Sequence, residues 1–204
     1  MRRMHLRSLA IIGALVFSAT CAAPPASAFW GKKKSPEEQQ EERLRKAAEE
    51  YNHGLDKMAK AKKHASESDS TFAFNYRATQ NAKARKDYQR ALEKFDKAIE
   101  LNPEMYEAYS ESGFCLRKLG HLDESLIAYE TCLSLKPDYA PAIEYKGEAF
   151  LALNFPDSAQ SALNTLQQLA EQNPSDTMFT VYQATLKKAL QAYQLTGFQN
   201  KRDK

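Results

Sequence analysis

Apolar residues recur at steps of three and four along much of the chain, which is the spacing of one face of a helix. The first stripe of this kind consists of Leu44, Ala48, Tyr51, Leu55 and Met58. It is preceded at 35–38 by Ser-Pro-Glu-Glu, which is typical of a helix start because serine can cap the helix and proline fits its first turn. We predict a long first helix from about residue 36 to residue 63.

The stripe of the second helix, at 88–101, is separated from the first helix by an insertion of about 25 residues. The insertion contains the polar run 66–70, which predicts a loop, followed by a helix that begins near Thr71. Its aromatic residues at 72, 74 and 76 could continue the helix, plug a groove or face a partner. A last stripe at 175–196 predicts a terminal helix and leaves 197–204 as a frayed tail.

Between these ends, residue types recur every 34 positions. Three columns carry the recurrence in three copies each: small residues, large apolar residues and leucines, namely Ala91, Ser125, Ala159; Phe95, Tyr129, Leu163; and Leu101, Leu135, Leu169. Two-copy columns add glycine, leucine and proline, namely Gly113, Gly147; Leu119, Leu153; and Pro103, Pro137. A fixed period of this length indicates a repeat architecture rather than one irregular core.

The columns resemble the tetratricopeptide repeat, most closely in 106–139, and they continue in 140–173. A split first unit is expected within 36–103. The resemblance implies an all-α solenoid of antiparallel helix pairs, with the long N-terminal helix at one end and the 175–196 helix as a cap at the other. Packing between the helices of each pair is implied for Gly113, Gly147, Ser125, Ala159 and Tyr129, and the end of a helix for Pro137.

The register of the first helix has two alternatives. In one alignment the consensus spacing is met by Leu44, Ala47, Ala48 and Tyr51. In the other it is met by Tyr51, Asn52 and Gly54. The sequence leaves both open.

The resemblance also implies that the first helices of the pairs line a concave groove. The expected groove residues are Glu107, Ser110, Phe114, Arg117, Lys118, Glu144, Tyr145 and Glu148. Phe114 could be an apolar anchor for a ligand or could pack on a neighbouring helix, and Arg117 could bind a peptide carboxylate or carbonyl group. The carboxylate clamp of some family members is not expected, because Glu144 and Glu148 would repel a carboxylate.

Residues 1–28 have the order of a secretory signal: three arginines, an apolar run at 9–20 and small residues before a cleavage point after Ala28. Twin-arginine export and a lipid anchor on Cys21 are weaker alternatives. We therefore expect a periplasmic protein with a flexible lead-in at 29–35. Its aromatic and lysine residues could also touch an anionic membrane surface.

The charge of the chain and its lack of catalytic motifs argue against some classes of function. The chain has 29 basic and 26 acidic residues. Since the signal holds three arginines and no acid, the remainder is neutral and has no general attraction for nucleic acid. Known catalytic and metal motifs are absent from the sequence, so neither an enzyme nor a cofactor is expected. The helical register is expected to keep Cys115 and Cys132 too far apart for a disulfide, which predicts two unpaired core thiols; an intermolecular link or a redox switch is the alternative.

We therefore expect an interaction scaffold or adaptor that holds an envelope protein or peptide in its groove, without stable insertion in a membrane. The alternative is an accessory or regulatory subunit of an envelope enzyme or maturation complex. Self-association through the long first helix stays open.

Overall fold

The computed structural model describes residues 34–69 and 74–202. The expected signal peptide and nearly all of the lead-in lie outside this range, as do the aromatic residue at 72 and the cysteine at 21. The described residues contain seven helices: α1 (Pro36–Asp69), α2 (Phe74–Leu101), α3 (Tyr106–Leu119), α4 (Leu122–Leu135), α5 (Ala140–Ala152), α6 (Pro156–Gln172) and α7 (Thr177–Arg202).

Each helix packs against the next one in the chain, so α1 to α6 form three antiparallel pairs and α7 covers the last pair. In addition, α3 packs against α5, and α5 packs against α7. No comparable contact joins α2, α4 and α6 to one another in the described part of the chain. Helices on the inside of a curved stack lie closer together. The first helices of the pairs therefore form the concave side, and the second helices form the convex side.

The insertion lengthens the first helix pair, which corrects the predicted polar loop. Helix α1 continues through 66–69, and α2 begins at Phe74, so the helices leave only 70–73 between them. The apolar stripe of α1 continues after Met58 with Ala61 and Ala65, which pack with Ala84 in the same cluster. Because apolar packing continues and the segment has no proline or glycine, its serines and acids do not end the helix.

Close contacts at two glycines hold helix pairs together and settle the register of α1. A Cβ atom on Gly54 would lie 2.5 Å from the ring of Phe95, and one on Gly113 would lie 2.6 Å from the ring of Tyr129. The second alignment of the first repeat, with Gly54 in the glycine column, is therefore the one that the fold uses.

Gly147 differs from this pattern. A Cβ atom there would lie 2.6 Å from Leu186 of α7, whereas Leu163 of α6 is the residue that takes the column of Phe95 and Tyr129. Leucine is shorter than the tyrosine of the preceding repeat, and the space above Gly147 is filled from the capping helix. Leu163 is buried in the cluster that α5, α6 and α7 form together. The small residues Ser125 and Ala159 are fully buried, as predicted for the contact between paired helices.

The ends of α3 and α5 repeat one backbone motif at a step of 34 residues. Gly120 has φ 94° and Asn154 has φ 66°, both in the left-handed region. The N–H of the next residue then donates to a carbonyl of the last helical turn, from His121 to Leu116 and from Phe155 to Phe150. Glycine and asparagine are the residues that tolerate this conformation, so the two turns are equivalent despite their different residues.

The ends of α4 and α6 lie just before prolines, and the end of α7 lies further along the chain than predicted. Helix α4 ends at Leu135, just before Pro137, and α6 has 17 residues against 14 in α4 because its closing proline arrives late, at 174. Helix α7 continues to Arg202, so 197–202 is helical rather than a frayed tail. Cys115 and Cys132 are free, buried thiols in two different core clusters.

Candidate functional site

The concave wall of α3 and α5 carries an unusual concentration of ionisable side chains. Arg117 of α3 and Glu148 of α5 form an ion pair with 2.6 Å between Nη2 and Oε2. The Arg117 side chain is only 11% exposed. Glu148 therefore matches the charge of Arg117 within the chain, and a peptide carboxylate would have to compete with this ion pair. The Nε atom of Arg117 has no hydrogen-bond partner among the described residues.

Phe114 is a packed ring rather than an exposed anchor, because it is only 7% exposed. Its centroid lies 6.1 Å from that of Tyr88 and 5.1 Å from that of Tyr145. The first contact joins α3 to the first helix pair, and the second joins α3 to α5. The packing alternative therefore describes this ring.

Glu144 is the most deeply buried acid of the wall, with 2% exposure. Burial, followed by the charge of Glu148, raises the pKa of Glu144 to about 8. Below that pH its carboxyl group is protonated and can donate a hydrogen bond to Glu148, which also pairs with Arg117. The wall therefore contains an acid–carboxylate–guanidinium relay in which one carboxylate carries the negative charge.

Two lysines approach the ring of Phe114 from different helices. The Nζ of Lys62 in α1 lies 4.5 Å from the ring centroid, and that of Lys118 in α3 lies 5.3 Å from it. Both side chains are exposed, and neither has a carboxylate oxygen within 4.0 Å among the described residues. Burial of its stem and the nearby Arg117 lower the pKa of Lys118.

The other expected groove residues are also on this side but differ in access. Ser110 is fully buried, and its hydroxyl has no hydrogen-bond partner in the described part of the chain. Glu107 and Tyr145 are half-buried. Burial raises the pKa of Glu111, and the charge of Lys62 opposes that shift.

Comparison with known proteins gives partial matches. No family model matches the chain. The Arabidopsis thaliana Hsp70-Hsp90 organizing protein 3 is 30% identical over 92 residues, which is 45% of this chain but only 16% of that protein. The TPR2B domain of yeast Sti1, solved as a pHsp70 complex, is 20% identical with a TM-score of 0.47, over 66% of this chain and 98% of that chain. The Arabidopsis OM64 TPR domain is 14% identical with a TM-score of 0.40, over 65% and 98%.

The decisive observation lies in the chain itself. Columns that recur every 34 residues coincide with stacked helix pairs, and the glycine of the first helix meets the ring of the second at Gly54 and Gly113. The chain has the fold of a tetratricopeptide-repeat solenoid.

The sequence pattern missed Lys62 as a residue of the concave groove. Lys62 lies beyond the usual end of the first helix of a repeat, in the part of α1 that the insertion lengthens. The continued apolar stripe through Ala61 and Ala65 was the signal that could have placed it. The described residues contain no cluster of three or more histidine, cysteine or acidic side chains suited to a metal ion. Over 36–69 and 74–202, no helix combines the length and hydropathy needed to cross a membrane.

Proposed function

We propose that this tetratricopeptide-repeat protein is exported to the periplasm and holds a segment of another protein on its concave side. The observation that carries the proposal is the set of ionisable side chains on α3 and α5. Glu144, Glu148 and Arg117 lie largely out of water on the concave wall. Buried ionisable groups cost stability unless they are paired, and such groups concentrate at functional sites.

The geometry favours an extended segment over a small molecule. The wall is formed by parallel first helices of successive repeats, so it presents a row of side chains rather than one enclosed cavity. The similarity to a plant protein named as an organizer of Hsp70 and Hsp90 supports a holding role, although this chain covers only 16% of that protein. The signal-like order of residues 1–28 supports export.

Site-specific photo-crosslinking tests the binding surface. A photoreactive amino acid replaces Lys118 on the concave side or, as the matched control, Ile127, which is 64% exposed on α4. In intact cells we expect Lys118→photoreactive residue to give one discrete crosslinked species that the Ile127 variant does not give. Equal crosslinking from both positions, or from the convex position alone, would show that the concave side is not the binding surface.

Two further measurements test the location and the role. Mass spectrometry of the protein from cells should give a mature chain that begins at Phe29 and is released with the periplasmic fraction. An intact N-terminus in the cytoplasmic fraction would refute export. Identification of the crosslinked protein separates a general adaptor from a dedicated subunit, since a subunit would give a single enzyme as its crosslinked product.

A further inference from the structure

The two lysines beside Phe114 carry positive charges that form no ion pair with a carboxylate among the described residues. Lys62 and Lys118 come from α1 and α3, their ammonium nitrogens lie 4.5 and 5.3 Å from the centroid of one ring, and the charge of Lys62 acts on Lys118. Together the two ammonium groups form a positively charged patch on the concave side. We propose that this patch is an anion-binding subsite for the side-chain carboxylates of an acidic peptide segment. The inference rests on the proposed function and names the class of ligand.

The charges that face the patch leave an excess of positive charge. Lys62, Arg117 and Lys118 are the cations, and their centres lie 4.5, 5.3 and 5.3 Å from the Phe114 ring centroid. The facing acids are Glu111 on α3 and the pair Glu144 and Glu148 on α5. Glu148 forms its ion pair with Arg117. Glu144 keeps its proton at neutral pH because burial raises its pKa to about 8. Glu111 is therefore the remaining carboxylate for two lysines.

The neighbouring positive charges contribute to the lowered pKa of Lys118. Burial is the largest cause of its lowered pKa, followed by repulsion from Arg117; attraction from Glu148 opposes the shift, repulsion from Lys62 adds to it, and Glu144 opposes it least. An anion placed between the ammonium groups would remove that repulsion. Charge-assisted contacts between ammonium and carboxylate groups are stronger than neutral hydrogen bonds.

The shape of the patch favours a peptide over a flat anionic surface. The patch lies on the concave side, and the lengthened helix pair α1–α2 lies beside α3, where Arg85 of α2 donates to the carbonyl oxygen of Leu119 at 3.4 Å. The inner wall of a curved stack can hold a narrow chain along its length, whereas a flat lipid bilayer can touch such a wall only at its rim. Because Phe114 already packs on the rings of Tyr88 and Tyr145, no space is open beside it for an aromatic side chain of the ligand. The ligand is therefore expected to bind through its charge.

The test uses a fluorescein-labelled, C-terminally amidated decapeptide of alternating glutamate and alanine, with a glutamine-for-glutamate peptide of the same length. Fluorescence anisotropy with the mature chain at low salt should show binding of the glutamate peptide at least tenfold tighter than of the glutamine peptide. Lys62→Gln and Lys118→Gln should each weaken binding about five- to tenfold, which corresponds to about 1 to 1.4 kcal/mol. Lys60→Gln, an exposed lysine of the same helix away from the ring, should change it less than twofold.

Three results would overturn the subsite: equal affinity for both peptides, equal loss from Lys60→Gln, or no loss from either patch variant. Thermal unfolding shows that each variant is folded. A free C-terminal carboxylate that alone supports binding would assign the patch to chain ends, and preferential binding of phosphatidylglycerol vesicles would assign it to a membrane. If the peptide-binding measurements fail while the photoreactive residue at 118 still crosslinks a protein in cells, the subsite is wrong and the proposed function stands. If crosslinking fails as well, both proposals are wrong.

Discussion

The ionisation of Glu144 should set the pH dependence of stability. Glu144→Gln replaces the protonated carboxyl group by a neutral amide of nearly the same shape, which can still donate a hydrogen bond to Glu148. The natural acid has an ordinary pKa of 4.5, which burial and Glu148 raise to about 8 in the folded protein. Between these values the folded state keeps a proton that the unfolded state has released.

This proton makes the natural protein less stable as pH rises. The loss can reach about 1.4 kcal/mol per pH unit between pH 4.5 and 8, because each unit of pKa difference corresponds to that free energy. Glu148 shares the proton, so we expect a total loss on the order of 3 kcal/mol across the window. Glu144→Gln should match the natural protein near pH 5 and exceed its stability by on the order of 3 kcal/mol near pH 8.

Urea unfolding followed by circular dichroism at pH 5, 6, 7 and 8 measures this difference. The matched control is Glu104→Gln, which removes an exposed acid from the turn before α3 and should leave the pH slope of the natural protein unchanged. If the natural protein and Glu144→Gln lose stability in parallel from pH 5 to pH 8, Glu144 does not hold a proton in the folded state and the relay is wrong.

The remaining predictions concern the two ways in which glycine is used. Gly113→Ala places a Cβ atom 2.6 Å from the Tyr129 ring, so overpacking of about 1 to 3 kcal/mol should outweigh the gain of about 1 kcal/mol in helix propensity and lower Tm; a Tm equal to or above that of the natural protein would contradict the close approach. Gly120→Ala meets no atom within 4 Å but keeps φ near 94°, so it should cost about 1 to 2 kcal/mol in urea unfolding, and an unchanged midpoint would show that the left-handed turn is not required.

The repeat fold was largely predictable because residue type and spacing act together. Glycine and a small or aromatic residue at fixed positions indicate where two helices meet, and prolines at 103 and 137 indicate where they end. The insertion was less predictable, because serines and glutamates at 66–69 favour a loop by type while Ala61 and Ala65 favour a helix by spacing. The packing of those alanines on the partner helix decided the outcome, and single-residue preferences do not report tertiary packing.

The candidate site was predictable in location but not in chemistry. Helix register places Phe114, Arg117 and Glu148 on the concave side, but it does not show that the ring is buried or that the arginine pairs with the glutamate. Both facts depend on how closely α3 and α5 approach. Placing Lys62 in the groove required the register of α1, which the sequence left open, and the role of Leu186 above Gly147 required the position of α7. These are contacts between elements distant in sequence, which a local pattern does not encode.

Amide chemical-shift mapping of the mature chain, titrated with the amidated glutamate–alanine decapeptide, tests the central claim most directly. The account predicts that the shifts cluster on the concave side, around Lys62, Lys118 and Glu148, and that residues of α4 such as Ile127 stay unchanged. Shifts confined to α4 and α6, or no shifts at millimolar peptide, would contradict the claim that the first helices form the binding wall.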